Sequence, residues 1–256
     1  MADKLLKKYQ EMRDFGDTPE PSGARTSKRQ KKLIFVVQKH AASHLHYDFR
    51  LEMEGVLKSW AVPKGPSYDP STKRLAMMTE DHPYDYASFE GVIPEGNYGG
   101  GNVIIWDQGS WEFLEPGDDP VAAVKKGKLT FVLHGKKLVG EWALVRIHGR
   151  SPKGNEWLLL KHRDKYATSN FDVTTEAPLS VVSGKGITEV GDGRQWQSNR
   201  KASSRKPRTM ADALQEKSTA SAKSKKKPVS KKAATPRPSR PSSKKASTRR
   251  SGSSRS

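Results

Sequence analysis

The clearest pattern along the chain is a period of two. An apolar run, LIFVVQK, opens at Leu33. From His44 to Leu51 the residues then alternate, with His44, His46, Asp48 and Arg50 on one side and Leu45, Tyr47, Phe49 and Leu51 on the other. Such alternation marks a β-strand that presents different chemistry to its two faces. Glu54-Gly55 predicts a hairpin turn, with Val56 to Val62 as the returning strand. Further short strands are predicted over 75–79, 102–106, 110–113, 128–133, 138–147 and 156–161. Asp107-Gln108-Gly109 reads as a tight turn between the third and fourth of the strands that follow Leu51, counting the hairpin partner. Pro63, Pro66 and Pro70 mark a loop. Tyr98 to Gly101 lacks the GKS or GKT ending and the following helix of a phosphate-binding loop, so it reads as a turn or bulge. Helical spacing is confined to Leu5, Leu6 and Tyr9 near the start and to the stretch 120–126. Short strands separated by Gly-rich turns favour a single all-β barrel or sandwich.

Composition divides the chain. Of its 256 residues and net charge of +19, residues 201–256 hold 18 Lys and Arg against two acids, Asp212 and Glu216. No aromatic residue follows Trp196. A segment of Lys, Arg, Ser, Pro and Ala cannot bury enough apolar surface to offset its ordering entropy, so 201–256 is expected to be a disordered basic tail. A short helix at 210–215 is the one exception considered. Residues 1–30 read as a polar arm, 31–166 as the β domain, and 167–200 as a Gly-rich linker in which Val181-Val182 and Trp196 are candidates for docking back. A polycationic tail is expected to neutralise phosphates and bind nucleic acid without sequence preference; the alternatives are an anionic membrane surface, acidic proteins or a merely solubilising tail. No stretch approaches 18 consecutive apolar residues, and the start, MADKLLKKYQ, carries no signal-peptide core, so no membrane role is expected. The absence of cysteine excludes disulfides, thiol nucleophiles, thiolate zinc sites and iron–sulfur clusters.

Any metal must therefore use His, Asp or Glu, and the segment from His40 to Arg50 concentrates such groups. On a strand, His46 and Asp48 point the same way, roughly 6–7 Å apart. His40 reaches back from the preceding turn. Imidazole nitrogen with carboxylate oxygen suits Mn²⁺, Fe²⁺ or Zn²⁺, and Arg50 is placed to pair with a phosphate resting on the ion. His82, within EDHPYDY, is a candidate phosphate ligand or general acid. Tyr86 is a candidate donor to a phosphate oxygen. Lys64 and Arg74 flank the Pro-rich loop as possible phosphate contacts. His134, His148 and His162 have no ligand partners nearby in sequence and read as structural.

QKHAASHLHYDFRLE, LKSWAVPKGPS, EDHPYDYASFEG, IPEGNYGGG and WLLLKHRDKYA, in that order, resemble the 3′-phosphoesterase domain of bacterial DNA ligase D. YQEMRDFGDTPEPSG resembles that domain's N-terminal arm. The resemblance covers about residues 5–166, with no ligase or polymerase domain, so a stand-alone version is expected. It implies a compact closed β-barrel with short flanking helices. It also implies a manganese-dependent enzyme that heals DNA 3′ ends by removing a terminal ribonucleoside to leave a 3′ phosphate, then hydrolysing that phosphate to a 3′ hydroxyl. The implied metal ligands are His40, His46 and Asp48, and the implied phosphate contacts are Arg50 and His82 with Tyr86 beside them. Arg13, Asp14 and Glu20 come from the arm, and Lys64 and Arg74 are further basic contacts. His44 departs from the family pattern, which commonly has arginine there; strand periodicity would turn it toward the site. The expected setting is a monomer in the bacterial cytoplasm on nucleoid DNA, working with a separate ligase and end-joining proteins. Two rivals explain part of the pattern. One is a non-enzymatic DNA-coating or architectural protein, which accounts for the tail but not for the His, Asp and Arg on one strand. The other is a zinc-dependent hydrolase of a different phosphoester.

Overall fold

A computed structural model of the chain describes residues 2–23, 32–115, 119–149, 152 and 154–191. The expected tail at 201–256, its short helix at 210–215, and Trp196 lie outside the described residues. Helix α1 (Ala2–Glu11) leads into an irregular arm. The strands are β1 (Leu33–Ala41), β2 (Leu45–Met53), β3 (Val56–Val62), β4 (Arg74–Met78), β5 (His82–Pro83), β6 (Gly91–Ile93), β7 (Gly101–Phe113), β8 (Lys128–Gly135), β9 (Val139–Arg146) and β10 (Glu156–Lys161). A 3-10 turn (Tyr84–Ser88) follows β5, α2 (Pro120–Lys126) precedes β8, and α3 (Val173–Glu176) follows β10.

Hydrogen bonding runs in the order β1-β2-β3-β4-β10-β9-β8-β7, and β7 pairs with β1 to close an eight-strand antiparallel ring. Closure leaves no free edge within the ring. The β2–β3 hairpin turns at Glu54 and Gly55, both in the left-handed region at φ 54° and 78°. Two consecutive positive φ values match the right-handed twist of the flanking strands. Helix α2 starts where Asp119 accepts a bond from the Val121 amide and stops at Gly127 in the left-handed conformation.

The ring interior is apolar and largely aromatic. Phe35, Phe49, Trp60, Trp106, Trp111, Phe131, Trp142 and Trp157 meet there with Leu51, Leu129, Leu133 and Leu144. The opposite, outer face of β1, β3 and β7 is also covered. Val36, Leu57, Val103 and Ile105 pack there against Tyr9 of α1, Tyr86 and Phe89. Consequently β1 and β2 are each buried over seven consecutive residues, on both faces.

Two local expectations change. The segment Asp107-Gln108-Gly109 is not a turn: β7 is one 13-residue strand that runs through it. Val37 pairs with Asp107 and Gln38 with Ile105, which leaves Trp106 as an extra residue in a β-bulge. The Asp107 carboxylate is consumed by the backbone amides of Lys136, Lys137 and Leu138 at 2.7–3.0 Å, so it closes the neighbouring β8–β9 turn. The second change follows Tyr166. Within the stretch expected as a linker, residues 167–191 pack onto the barrel. Phe171 and Val173 join the main core, and Ile187 and Val190 cover Ala41 and Ile104. The Trp106 indole donates to the Ala177 carbonyl at 2.7 Å. Val181 docks through its amide to Ile105 at 2.9 Å, while Val182 stays exposed. Among the described residues, no helix is long and apolar enough to cross a membrane.

Candidate metal and phosphate site

The polar face of β2 looks outward from the barrel, into a cavity of about 300 Å³. The β1–β2 register sets the first two groups opposite each other, His40 facing His46, with ring centroids 4.7 Å apart. Asp48, two residues along β2, completes a set whose ligand atoms all lie within 4.8 Å of one another. His40 Nδ1 is 3.4 Å from Asp48 Oδ2, and His46 Nε2 is 3.5 Å from Asp48 Oδ1.

Each imidazole is anchored through its other nitrogen. His40 Nε2 lies 2.7 Å from the Gly99 carbonyl, and His46 Nδ1 lies 2.8 Å from the His44 carbonyl. A carbonyl only accepts, so those nitrogens carry the protons and the lone pairs of His40 Nδ1 and His46 Nε2 face Asp48. Backbone anchoring of the outer nitrogen is the usual support of a metal-binding histidine. Two imidazole nitrogens and one carboxylate whose ligand atoms gather at a common point fit a divalent transition ion.

Asp48 is buried, which would disfavour its charge, but the Arg50 guanidinium beside it holds its carboxyl well below the usual carboxylate range. Arg50 is held in turn by three neighbours. Its Nε donates to Gln38 at 2.8 Å, Nη1 to Ser59 Oγ at 2.8 Å and Nη2 to Asp48 Oδ2 at 3.0 Å. The guanidinium also lies 4.9 Å from the Tyr86 ring centroid. Five N–H groups and these three bonds leave two donors for an anion.

The arm and the segment around β5 roof this face. Arg13 donates from Nε to Glu20 at 2.9 Å, and its Nη2 is 3.2 Å from His82 Nε2. Glu20 also accepts from the Tyr86 hydroxyl at 2.9 Å, and Glu80 lies 3.5 Å from Arg13. His82 Nδ1 bonds the Glu80 carbonyl at 3.0 Å. Burial, reinforced by the positive charges of Arg50 and Arg13, pushes the His82 imidazole well below its ordinary pKa. It is therefore neutral at pH 7, with Nδ1 protonated and Nε2 accepting from Arg13. Burial keeps the Tyr86 phenol protonated.

His40, His46, Asp48, Arg50, His82, Tyr86 and Arg13 thus line one cavity, and Glu20 joins it through Arg13 and Tyr86. Three residues fall elsewhere. Asp14 is exposed and caps its own turn through the Gly16 amide at 2.9 Å. Lys64 is exposed in the Pro-rich loop, and Arg74 sits on β4 opposite Leu159; neither lines the cavity. His44 precedes β2 and is exposed, so strand periodicity does not carry its ring to the site; its carbonyl orients His46 instead. The structure adds Glu80, Tyr98 and Gly99 to the lining and Gln38 and Ser59 behind Arg50. A polar residue on the same strand face, such as Gln38 two positions before His40, was the available signal.

The fold and site define a β-barrel domain whose outer wall carries a candidate metal centre beside an anion-binding arginine. Residues 38–146 match the family described as the DNA Ligase D 3′-phosphoesterase domain, and the barrel is similar to that domain, as the motifs indicated. The chain is 54% identical over 185 residues to the multifunctional non-homologous end joining protein LigD of Pseudomonas aeruginosa, covering 71% of this chain and 22% of that protein. It is 42% identical over 199 residues to the protein of the same name from Mycolicibacterium smegmatis, covering 77% of this chain and 25% of the relative. The Mycobacterium bovis protein is 41% identical over 184 residues, covering 72% and 23%. The chain thus spans about a quarter of the length of these relatives.

Proposed function

We propose that this protein is a metal-dependent phosphoesterase that heals DNA 3′ ends, removing a terminal 3′ ribonucleoside to leave a 3′ phosphate and hydrolysing the 3′ phosphate to a hydroxyl. The observation that carries this reading is the convergence of the His40 and His46 lone pairs on Asp48, with unspent Arg50 donors beside them. The match of residues 38–146 to a phosphoesterase domain supports the reaction class.

His40, His46 and Asp48 would hold the ion, for which manganese is the proposed choice; when bound, it supplies Lewis-acid polarisation of a phosphoryl oxygen. Arg50 donates its two remaining N–H groups to nonbridging oxygens, where negative charge builds up during attack by water. Its three fixed partners hold it in place before substrate arrives. Arg13, clamped by Glu20 and Glu80, brings a second guanidinium to the roof. His82, neutral and with Nδ1 held by the Glu80 carbonyl, is the candidate to take a proton from the attacking water at Nε2 once Arg13 turns toward the phosphate, and to pass that same proton to the leaving oxygen. Tyr86 remains a phenol whose one hydrogen is given to Glu20, so its part is to hold Glu20 and the roof in place beside Arg50.

In this reading residues 1–30 are an arm of the catalytic domain, 31–166 its barrel with 167–191 packed onto it, and 201–256 a basic tail that holds duplex DNA. The partners are DNA or ribonucleotide-ended 3′ ends, a separate ligase and end-joining proteins, and the setting is a monomer in the cytoplasm on nucleoid DNA. Hydrolysis of a primer–template carrying one 3′ ribonucleotide, with and without Mn²⁺, tests the activity. Asp48→Ala is expected to lose metal-dependent turnover, and unchanged turnover in that variant would refute the ligand assignment.

A further inference from the structure

Four large apolar side chains are exposed among the described residues: Leu75, Tyr98, Leu114 and Val182. Of these, Tyr98 alone lines the cavity. Its ring is 48% exposed and lies 5.5 Å from the Arg13 guanidinium. The backbone beneath it is not free to move. Gly99, the next residue, has φ +76° and gives its carbonyl to His40. Gly100 and Gly101 follow in positions where an added Cβ would meet the backbone of Pro94 and Ala41, respectively. A half-exposed aromatic ring, with Arg13 over it, is therefore fixed one residue from the support of a candidate metal-ligand imidazole. Tyr98 thus shares the wall of one cavity with His40, His46 and Asp48.

An exposed tyrosine on a tight turn gains nothing for folding by facing solvent. A base has a flat π-face, and stacking on an aromatic side chain is tolerant of sequence. We propose that Tyr98 is the platform on which the nucleoside bearing the scissile phosphate stacks, an inference that rests on the phosphoesterase reading. Arg13, across the ring, then braces the phosphate side while Tyr98 takes the base. Tyr98 is a specificity-determining residue: it makes the site prefer a phosphate attached to a base-bearing nucleoside over the same phosphate on a bare sugar.

The experiment compares two 3′-phosphorylated duplex strands in Mn²⁺, one ending in an ordinary nucleotide and the other in an abasic deoxyribose. For the native protein the abasic end should have a KM about ten-fold higher, in keeping with the energy of one base stacked on one aromatic ring. In Tyr98→Ala the KM for the base-bearing end should rise to that of the abasic end, and the ratio should fall to about one. Tyr98→Phe should keep the ratio, since the ring and not the hydroxyl carries the contact. A strand ending in 2-aminopurine with a 3′ hydroxyl, which is not turned over, gives a readout apart from activity: its fluorescence should be quenched by the native protein and by Tyr98→Phe but not by Tyr98→Ala. An unchanged KM ratio and unchanged quenching in Tyr98→Ala overturn the inference while leaving the phosphoesterase reading intact. A loss of ratio in Tyr98→Phe equal to that in Tyr98→Ala overturns it in favour of a hydroxyl contact. A native protein inert on every 3′ end overturns the phosphoesterase reading and this inference with it.

Discussion

Replacing Gln38 by alanine should weaken both the fold and the site. The side chain is wholly buried and satisfies three groups at once. Its oxygen accepts from Arg50 Nε at 2.8 Å, and its amide nitrogen donates to the Tyr86 and Phe89 carbonyls at 3.0 and 2.9 Å. In Gln38→Ala the Arg50 Nε–H and the Phe89 carbonyl lose their partner, and the Tyr86 carbonyl keeps only the Phe89 amide at 3.1 Å. A buried polar group stripped of its partner costs about 1–3 kcal/mol, so with partial relaxation the variant should lose about 4 kcal/mol. With a urea slope of about 2 kcal/mol per M, the unfolding midpoint should fall by about 2 M. Arg50 loses one of its three anchors, and the turn that carries Tyr86 loses its tie to β1. Misplacing a charge-stabilising group by about 1 Å lowers kcat on the order of 100-fold. Gln38→Glu separates the two effects: it keeps an acceptor for Arg50 but cannot donate to the carbonyls, so stability should fall while kcat falls less than in Gln38→Ala. Urea melts by fluorescence and initial rates on a 3′-phosphorylated strand measure both. A midpoint within about 0.3 M of the native protein for Gln38→Ala would refute the reasoning, because it would mean that these bonds carry no net energy.

Two further outcomes are expected. Burial lowers the Lys137 amine from 10.5 to about 7 in the folded protein. Between those values the unfolded chain binds the extra proton, so stability should rise with pH across that window, by at most about 1.4 kcal/mol per pH unit. Urea midpoints from pH 7 to 10 should show this slope, and Lys137→Met should flatten it; an identical slope in the variant would contradict the assignment. Removing residues 201–256 should weaken duplex binding and reduce its dependence on salt while leaving turnover of short 3′-ended substrates in place. Binding titrations at several salt concentrations, with a dinucleotide-scale activity assay, check both halves, and loss of turnover on the short substrate would place the tail in the site.

Local patterns carried far in this chain, and long-range ones did not. Alternation in β2, the left-handed pair at Glu54 and Gly55, and the stretch 120–126 each depend on neighbours in sequence, and each element forms where those patterns point. The His40, His46, Asp48 and Arg50 grouping was legible for the same reason, since one hairpin carries all four. Asp107 misled because Asp-Gln-Gly is ordinary turn chemistry; its partners are the amides of Lys136 to Leu138, about thirty residues away and invisible to a local reading. His44 misled because the strand begins one residue later. The apolar residues of 167–191 are scattered without a helix or strand period, and their burial depends on a surface made by β1 and β7. Glu80 and Ser59 have no signature of their own, and Gln38 has only its place on the His40 face of β1. Their importance comes from what Arg13, Arg50 and His82 require once charge is taken out of water.

The reactive groups stand on the outside of a barrel whose lumen is filled by tryptophan and phenylalanine. Access is therefore sideways. A group buried in a lumen can be reached only by a molecule small enough to pass the barrel mouth, and a stiff rod would be stopped at the rim. A site on the wall meets no such gauge. A rod of any length can lie tangent to the surface and present its last residue, so the limit on what can be processed is set by the short arm around Arg13 and Glu20 rather than by the diameter of the ring.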